Sequence, residues 1–291
     1  MPLQLAAPSP RGRLPQQATA SGRLALWTAG LTLAGLLAAS PAFPQDFTFQ
    51  PAPPPAPYDL PGVTPEVRGF TPGMPEAEAR AALMKAYPGR VTPAPQVAVT
   101  FMRDGMVVRS RPVPAQIMAR SETPGAREDI QLTFGLPTTG SPVLGIQRRV
   151  EFPNLSAAPR GEELEAQLIE KYGPPSSQRA DALRSTVTLV WLYGAGKMQP
   201  CGRDRMPLCP YVAANFAIAR LEAYRQALEE KHELMIQVDL IAQPQDRARV
   251  RSFKTTLADN RGAVATYAAA EMQMLSAADM RAGENDDTPG Q

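Results

Sequence analysis

Leu234, Ile236, Val238 and Leu240 alternate without interruption, and a period of two commits that stretch to a strand with one buried face. The pattern recurs over 186–193, where Val187, Leu189, Trp191 and Tyr193 fall on one side, and at Ile130, Leu132 and Phe134. Leu144, Ile146, Val150 and Phe152 share the face of a further strand, with Arg148 among them. Val97, Val99 and Phe101 alternate over 96–101, and Asp104-Gly105 makes a two-residue hairpin turn into a strand over 106–111. A turn at 243–247 leads to a last strand over 249–257.

Helices separate these runs. Pro75 suits a first helical turn, and Glu76 and Glu78 sit where the helix dipole favours anions. Ala79, Ala82, Leu83, Ala86 and Tyr87 then line one face until Pro88-Gly89 stops the helix. A second helix, over 162–172, puts Leu164, Leu168 and Tyr172 on one side and ends at Gly173-Pro174-Pro175. Residues 214–231 read as helix or strand, with Leu221, Tyr224 and Leu228 suiting a helix. Asp259 or Asn260 caps a last helix over 261–281, rich in Ala and Met. Runs of strands between isolated helices predict an α+β fold with antiparallel sheets and packed helices, not a doubly wound parallel sheet.

The first two helices end alike, at Leu83-x-x-x-Tyr87-Pro88 and Leu168-x-x-x-Tyr172-Gly173-Pro174. The spacing suggests a duplicated helix-plus-strands unit, one over 67–157 and one over 158–282. Common helix packing gives the same motif, since Leu four residues before an aromatic is a frequent pair. Residues 43–66, with PAPPPAPYDLPGVTP, read as an extended proline-rich linker that could tether or space the rest. Residues 283–291, GENDDTPGQ, read as a disordered acidic tail.

The N-terminus has the order of an export signal. Arg11, Arg13 and Arg23 come first with no acid, then the apolar run LALWTAGLTLAGLLAA from Leu24 to Ala39, then Ser40-Pro41-Ala42 with small residues where a signal peptidase cuts. The run is short for a membrane span, and an uncleaved anchor is the alternative. No cysteine follows it for lipoprotein acylation. Removing residues 1–42 takes three arginines and no acid from a chain of formal charge +2 and leaves −1. The overall basic balance therefore belongs to the targeting segment and gives no support for nucleic-acid binding. The expected location is periplasmic or extracellular, with no stable membrane insertion after cleavage. There Cys201 and Cys209, close together in CGRDRMPLC, are expected to form a disulfide. Free thiols or half a zinc site are the alternatives, and zinc would need about four ligands where the chain has one histidine, His232.

No catalytic motif survives inspection. G-x-S-x-G and S-x-x-K are absent. His232 sits in the charged stretch EEKHEL and reads as a solvated turn residue. Gly194-Ala195-Gly196-Lys197 lacks the earlier glycine of a phosphate loop and reads as a turn. The neighbouring pairs Glu162–Glu163 and Glu229–Glu230 do not face each other on a helix. Asp239 falls on the polar outer face of its strand. No metal or cofactor is expected. Two features suit binding. Arg148, among apolar neighbours, either snorkels at a sheet edge or reads an anionic ligand. Trp191 and Tyr193 are expected in the core, the alternative being a rigid binding patch beside the cysteine loop.

At Gly73-Met74-x-x-x-Glu78-Ala79 the chain resembles a family of envelope domains in which a Gly-Met turn starts a helix and an antiparallel sheet follows. The small outer-membrane lipoprotein of the β-barrel assembly machinery and the β-lactamase-inhibitor-protein fold share that layout. Tyr172-Gly173-Pro174-Pro175 resembles the end of the same motif. The resemblance implies a binding or scaffolding module of the cell envelope with an envelope protein or peptide as partner, and it assigns no functional residue. Together these readings favour a non-catalytic exported module. The rival is an extracytoplasmic hydrolase using carboxylates.

Overall fold

The computed structural model describes residues 47–286 apart from 94, 104–105, 184 and 202–211. The export segment, the turn expected at Asp104-Gly105 and Cys209 lie outside the described residues.

In chain order the elements are α1 (Glu76–Ala86), β1 (Val91–Thr92), β2 (Gln96–Val97), β3 (Thr100–Arg103), β4 (Met106–Arg109), β5 (Val113–Pro114), β6 (Gln116–Glu122), β7 (Arg127–Phe134) and β8 (Val143–Glu151). There follow α2 (Gly161–Tyr172), β9 (Ser177–Asp181), β10 (Thr186–Gly194), β11 (Lys197–Met198), α3 (Leu221–Glu229), β12 (Leu234–Ala242), β13 (Val250–Asp259) and α4 (Asn260–Asp286). The fold is α+β, and its main sheet is antiparallel with nine strands in the order β1-β6-β7-β8-β13-β12-β10-β11, β9 pairing with β10. Strands β2–β5 and β3–β4 form a separate ribbon, joined where Ser110 N donates to Val99 O.

The two expected units share this sheet. Helix α1 leads to β6-β7-β8 and α2 to β10-β12-β13, and the halves meet where β8 pairs with β13. The junction is self-complementary, since Ile146↔Leu257 and Val150↔Phe253 flank Arg148↔Thr255 symmetrically. A buried layer including Ile117, Ile130, Leu132, Leu189, Ile236 and Val238 crosses the junction as one core. Strand β6 carries Ile117 and Ala119 inward; its polar companions hid it from the hydrophobic pattern.

One face of the sheet, here called inner, is covered by α1 through Ala79 and Leu83 and by α2 through Leu164, Leu168 and Tyr172. Trp191 is fully buried there and donates Nε1–H to Gly173 O at 2.8 Å, while the Tyr193 hydroxyl donates to Tyr172 O at 2.6 Å. Their rings fill the interior and their polar ends are satisfied at the helix stop.

On the outer face, α4 packs Ala263, Tyr267, Ala270 and Met274 with Leu144, Leu221 and Tyr224. Its start is capped by Asp259, whose Oδ1 accepts from Gly262 N at 2.7 Å. The ambiguous stretch 214–231 is helical where α3 forms, with Leu221 and Tyr224 buried. Two glycines permit close crossings here: a side chain at Gly145 would collide with the Ala214 carbonyl, and one at Gly194 with that of Lys231.

Two expectations need correction. Residues 47–66 are not a free linker but a strap lying on the body. Phe49 and Leu60 are buried, Ala52 N donates to Thr138 O at 2.5 Å, and Gln50 exchanges hydrogen bonds with the Gln273 side chain. Prolines keep the strap extended, and its few apolar side chains anchor it. Residues 283–286, expected in the acidic tail, belong to α4, because extending an existing helix needs no new nucleus; residues 287–291 lie outside the described residues.

Candidate functional site

The outer face is only half covered. Helices α3 and α4 and the stretch 212–217 lie over its other half, leaving parts of β6, β7 and β8 open. Cross-strand register lays the open side chains in rows. One row reads Arg120↔Asp129↔Arg149 and the next Met118↔Gln131↔Gln147. Alternation explains the polarity: Ile130 and Leu132 point into the core, so Asp129, Gln131 and Thr133 point out. Arg120 Nε lies 2.5 Å from Asp129 Oδ1, and Arg149 Nη2 lies 2.6 Å from Glu151 Oε1. These pairs are solvated and add little stability.

Beside the rows the face deepens into a groove of about 600 Å³. One wall is the ribbon, through Val97, Val99 and Val113; the other includes Phe216, Ile218 and Tyr267. The floor carries amides. Gln131 Nε2 donates to Gln116 Oε1 at 2.9 Å and approaches Asn215 Oδ1 at 3.4 Å. Gln131 also lines a smaller cavity of about 480 Å³ over the charged row, so the two spaces adjoin. Apolar walls with a few convergent polar groups are the usual make-up of a binding site.

The residues singled out from sequence lie elsewhere. Trp191 and Tyr193 have no exposed surface to offer, so the binding-patch alternative falls to their packing under α2. Arg148 is not at an edge, and its guanidinium is already engaged by an acid rather than free for a ligand. It stands on one of the two strands at the junction, and its Nε lies 2.5 Å from Glu128 Oε1 beneath the helices. Arg68, from a turn before α1, reaches the same carboxylate at 3.2 Å, and the Arg148 guanidinium stacks on Phe253. Asp239 accepts from Thr188 Oγ1 at 2.8 Å and from the Gln237 amide, which holds it as part of the outer face. His232 lies beside Glu230, and burial lowers its pKa. Glu162, Glu163, Glu229 and Glu230 are exposed. Gly194–Lys197 makes the tight β10–β11 turn, with positive φ at Ala195 and Gly196. Cys201 packs against a small cluster with Val190, Leu192 and Val212; its expected partner Cys209 lies outside the described residues.

The nearest thing to a paired-carboxylate centre is closed. Asp259 is buried and its carboxyl is pushed up to about 6 by that burial, against the pull of hydrogen bonds from the Tyr58 hydroxyl at 2.6 Å and Gly262 N. Glu233 lies nearby, with Arg261 Nη1 3.5 Å from its Oε2 and the Arg261 guanidinium 3.9 Å from the Tyr58 ring. Tyr58 belongs to the strap, which covers Asp259. Among the described residues no group of three or more His, Cys, Asp or Glu is placed to hold a metal. Among them, too, no helix is long and apolar enough to cross a membrane.

Sequence reasoning passed over Gln116, Gln131 and Asn215. Only the outward position of Gln131 was legible from alternation, since Gln116 lies on the hidden strand β6 and Asn215 before α3; the concavity above them comes from the ribbon, Phe216 and Tyr267, which converge only in the fold. Fold and site together define an α+β protein with a single shared sheet, one face closed and the other half open. Comparison with family models, with characterised proteins and with solved structures found no match to the chain.

Proposed function

We propose that this chain is an exported, non-catalytic binding or scaffolding module of the cell envelope, which takes a polypeptide segment into the groove between the ribbon and Tyr267. The groove itself carries the reading: apolar walls over a floor of side-chain amides on the half-open face of the sheet. Amides on the floor can bond to a backbone, and the walls can take a side chain. The like order of helix and strands in the two halves supports the resemblance to envelope domains and a duplicated unit. The hydrolase alternative would require Asp259 to open to solvent, and it is buried beneath Tyr58 of the strap.

Selecting a random peptide-display library on the purified protein tests the groove. Sequences enriched on the native protein are expected to lose at least about tenfold in affinity for Gln131→Trp, a loss that a large side chain filling a small pocket readily produces. The melting temperature should stay unchanged, because Gln131 is on the partly exposed face. Winners indifferent to that substitution would place binding elsewhere.

Export has its own test. The protein recovered from the envelope is expected to begin at Phe43 and to take up no alkylating agent at Cys201 or Cys209 until reduced. The bridge is supported by the path of the chain, since Cys201 and Val212, at either end of the intervening loop, pack in the same cluster. Closing so short a loop contributes about 2–3 kcal/mol, so reduction should lower the melting temperature measurably. A mature chain that begins at Met1 with both thiols reactive would sink this part of the reading.

A further inference from the structure

Charge is unevenly spread along the chain. Residues 90–120 contain Arg90, Arg103, Arg109, Arg111 and Arg120 against one acid, Asp104, in a protein whose formal charge is only +2. This stretch builds the groove: the ribbon supplies a wall and β6 part of the floor. Arg120 is engaged by Asp129. Arg90, Arg109 and Arg111 are exposed, and none pairs with an acid among the described residues. All five cations are arginines, whose planar fork matches a carboxylate where lysine offers a point charge.

The same surface is unusually apolar. Met102 is 72% exposed, Val97 43%, Val107 40% and Met118 42%. Met102 and Val107 are cross-strand partners, and Thr100↔Arg109 is the next pair on that face of the ribbon. The alternate pair, Phe101↔Val108, faces α4. Thr100 also lines the groove, so Arg109 stands at its rim.

We propose that the groove's occupant is an acidic polypeptide segment, which seats an apolar side chain between the ribbon and Tyr267 and sets carboxylates against Arg109 and Arg111 of the ribbon. This rests on the groove being the binding site and adds the chemical class of its partner. A concave site with amides at its base suits a chain with side chains and a backbone; the flat face of an anionic bilayer reaches the arginines but not the floor. Rim charges of this kind mainly speed association and choose among partners.

The display winners decide it. They are expected to be acidic, with at least one large apolar residue, and to bind several-fold more weakly as salt rises to about 0.2 M. Each arginine is worth about fivefold, so the double variant Arg109→Gln/Arg111→Gln should weaken the winning peptide about 25-fold with no change in melting. Neutral or basic winners, or acidic ones indifferent to the double variant, overturn the proposal while leaving the groove intact. So does a loss confined to vesicles of equal parts phosphatidylcholine and phosphatidylglycerol, which assigns the arginines to lipid. No enrichment of any peptide removes the groove reading itself and this inference with it.

Discussion

Replacing Glu128 by leucine is expected to lower the unfolding free energy by about 2–3 kcal/mol, below the roughly 3–5 kcal/mol of a fully buried ion pair because the Arg148 side chain keeps 23% exposure. Glu128 is 9% exposed, on the inner face of β7, and it is the anion for both Arg148 and Arg68. Without it, Arg148 keeps its position on a junction strand between Ile130 and Thr255, with no carboxylate and only part of its side chain in water. Arg68 has a more exposed side chain and can turn outward, so Arg148 accounts for most of the loss. The double variant Glu128→Leu/Arg148→Met removes the stranded charge and should recover a good part of the stability. Urea unfolding of the wild type, the two single variants and the double variant measures this. A double variant as unstable as the sum of the singles would mean that the pair is not coupled.

Stability should also fall as pH rises through about 6, by an amount that Asp259 sets. Burial holds its carboxyl up from 3.8 to about 6 in the folded protein. Between those values the folded state binds a proton that the unfolded chain releases. The stabilisation is therefore complete below about 3.8 and is lost as pH climbs past about 6. The full swing is on the order of 3 kcal/mol, at about 1.4 kcal/mol per unit. Tyr58 from the strap, Gly262 N and Arg261 from α4, and Glu233 ahead of β12 face this carboxyl. Other carboxylates add their own slopes, so the readout is a difference. Asp259→Asn keeps the helix cap but cannot ionise, and its stability relative to wild type should improve from pH 4 to pH 8. Tyr58→Phe removes a donor that favours the ionised form and should move the midpoint higher. Parallel pH profiles for wild type and Asp259→Asn would show that Asp259 does not titrate in this range.

Much of the layered architecture was legible because local rules carry it. Strict alternation marked β7, β10 and β12 and most of β8, but Leu144, expected on one face with Ile146 and Val150, is turned to the outer face against α4 by the register shift opposite Phe134; the Pro75 start and Gly173 stop bounded two helices. The cap at Asp259 was legible for the same reason, since a helix start is a matter of a few adjacent residues. Strand β6 was not, because Gln116–Glu122 buries only Ile117 and Ala119 and owes its place to pairing with β7. Nor was the role of Arg148: a cation among apolar residues looks like a ligand reader until Glu128, one strand away, is seen beside it.

By itself the sequence determined most of the strands and helices and, for most of them, which side is apolar, since those depend on backbone geometry and on neighbours within a few residues. It also determined the α+β class, through the order of those stretches. Only the tertiary structure decided that the two halves share one sheet across β8 and β13, that the proline-rich stretch is a strap over Asp259, and that Gln116, Gln131 and Asn215 lie at the bottom of a groove. Each of these depends on contacts between residues far apart in the chain, where no local periodicity records the partner.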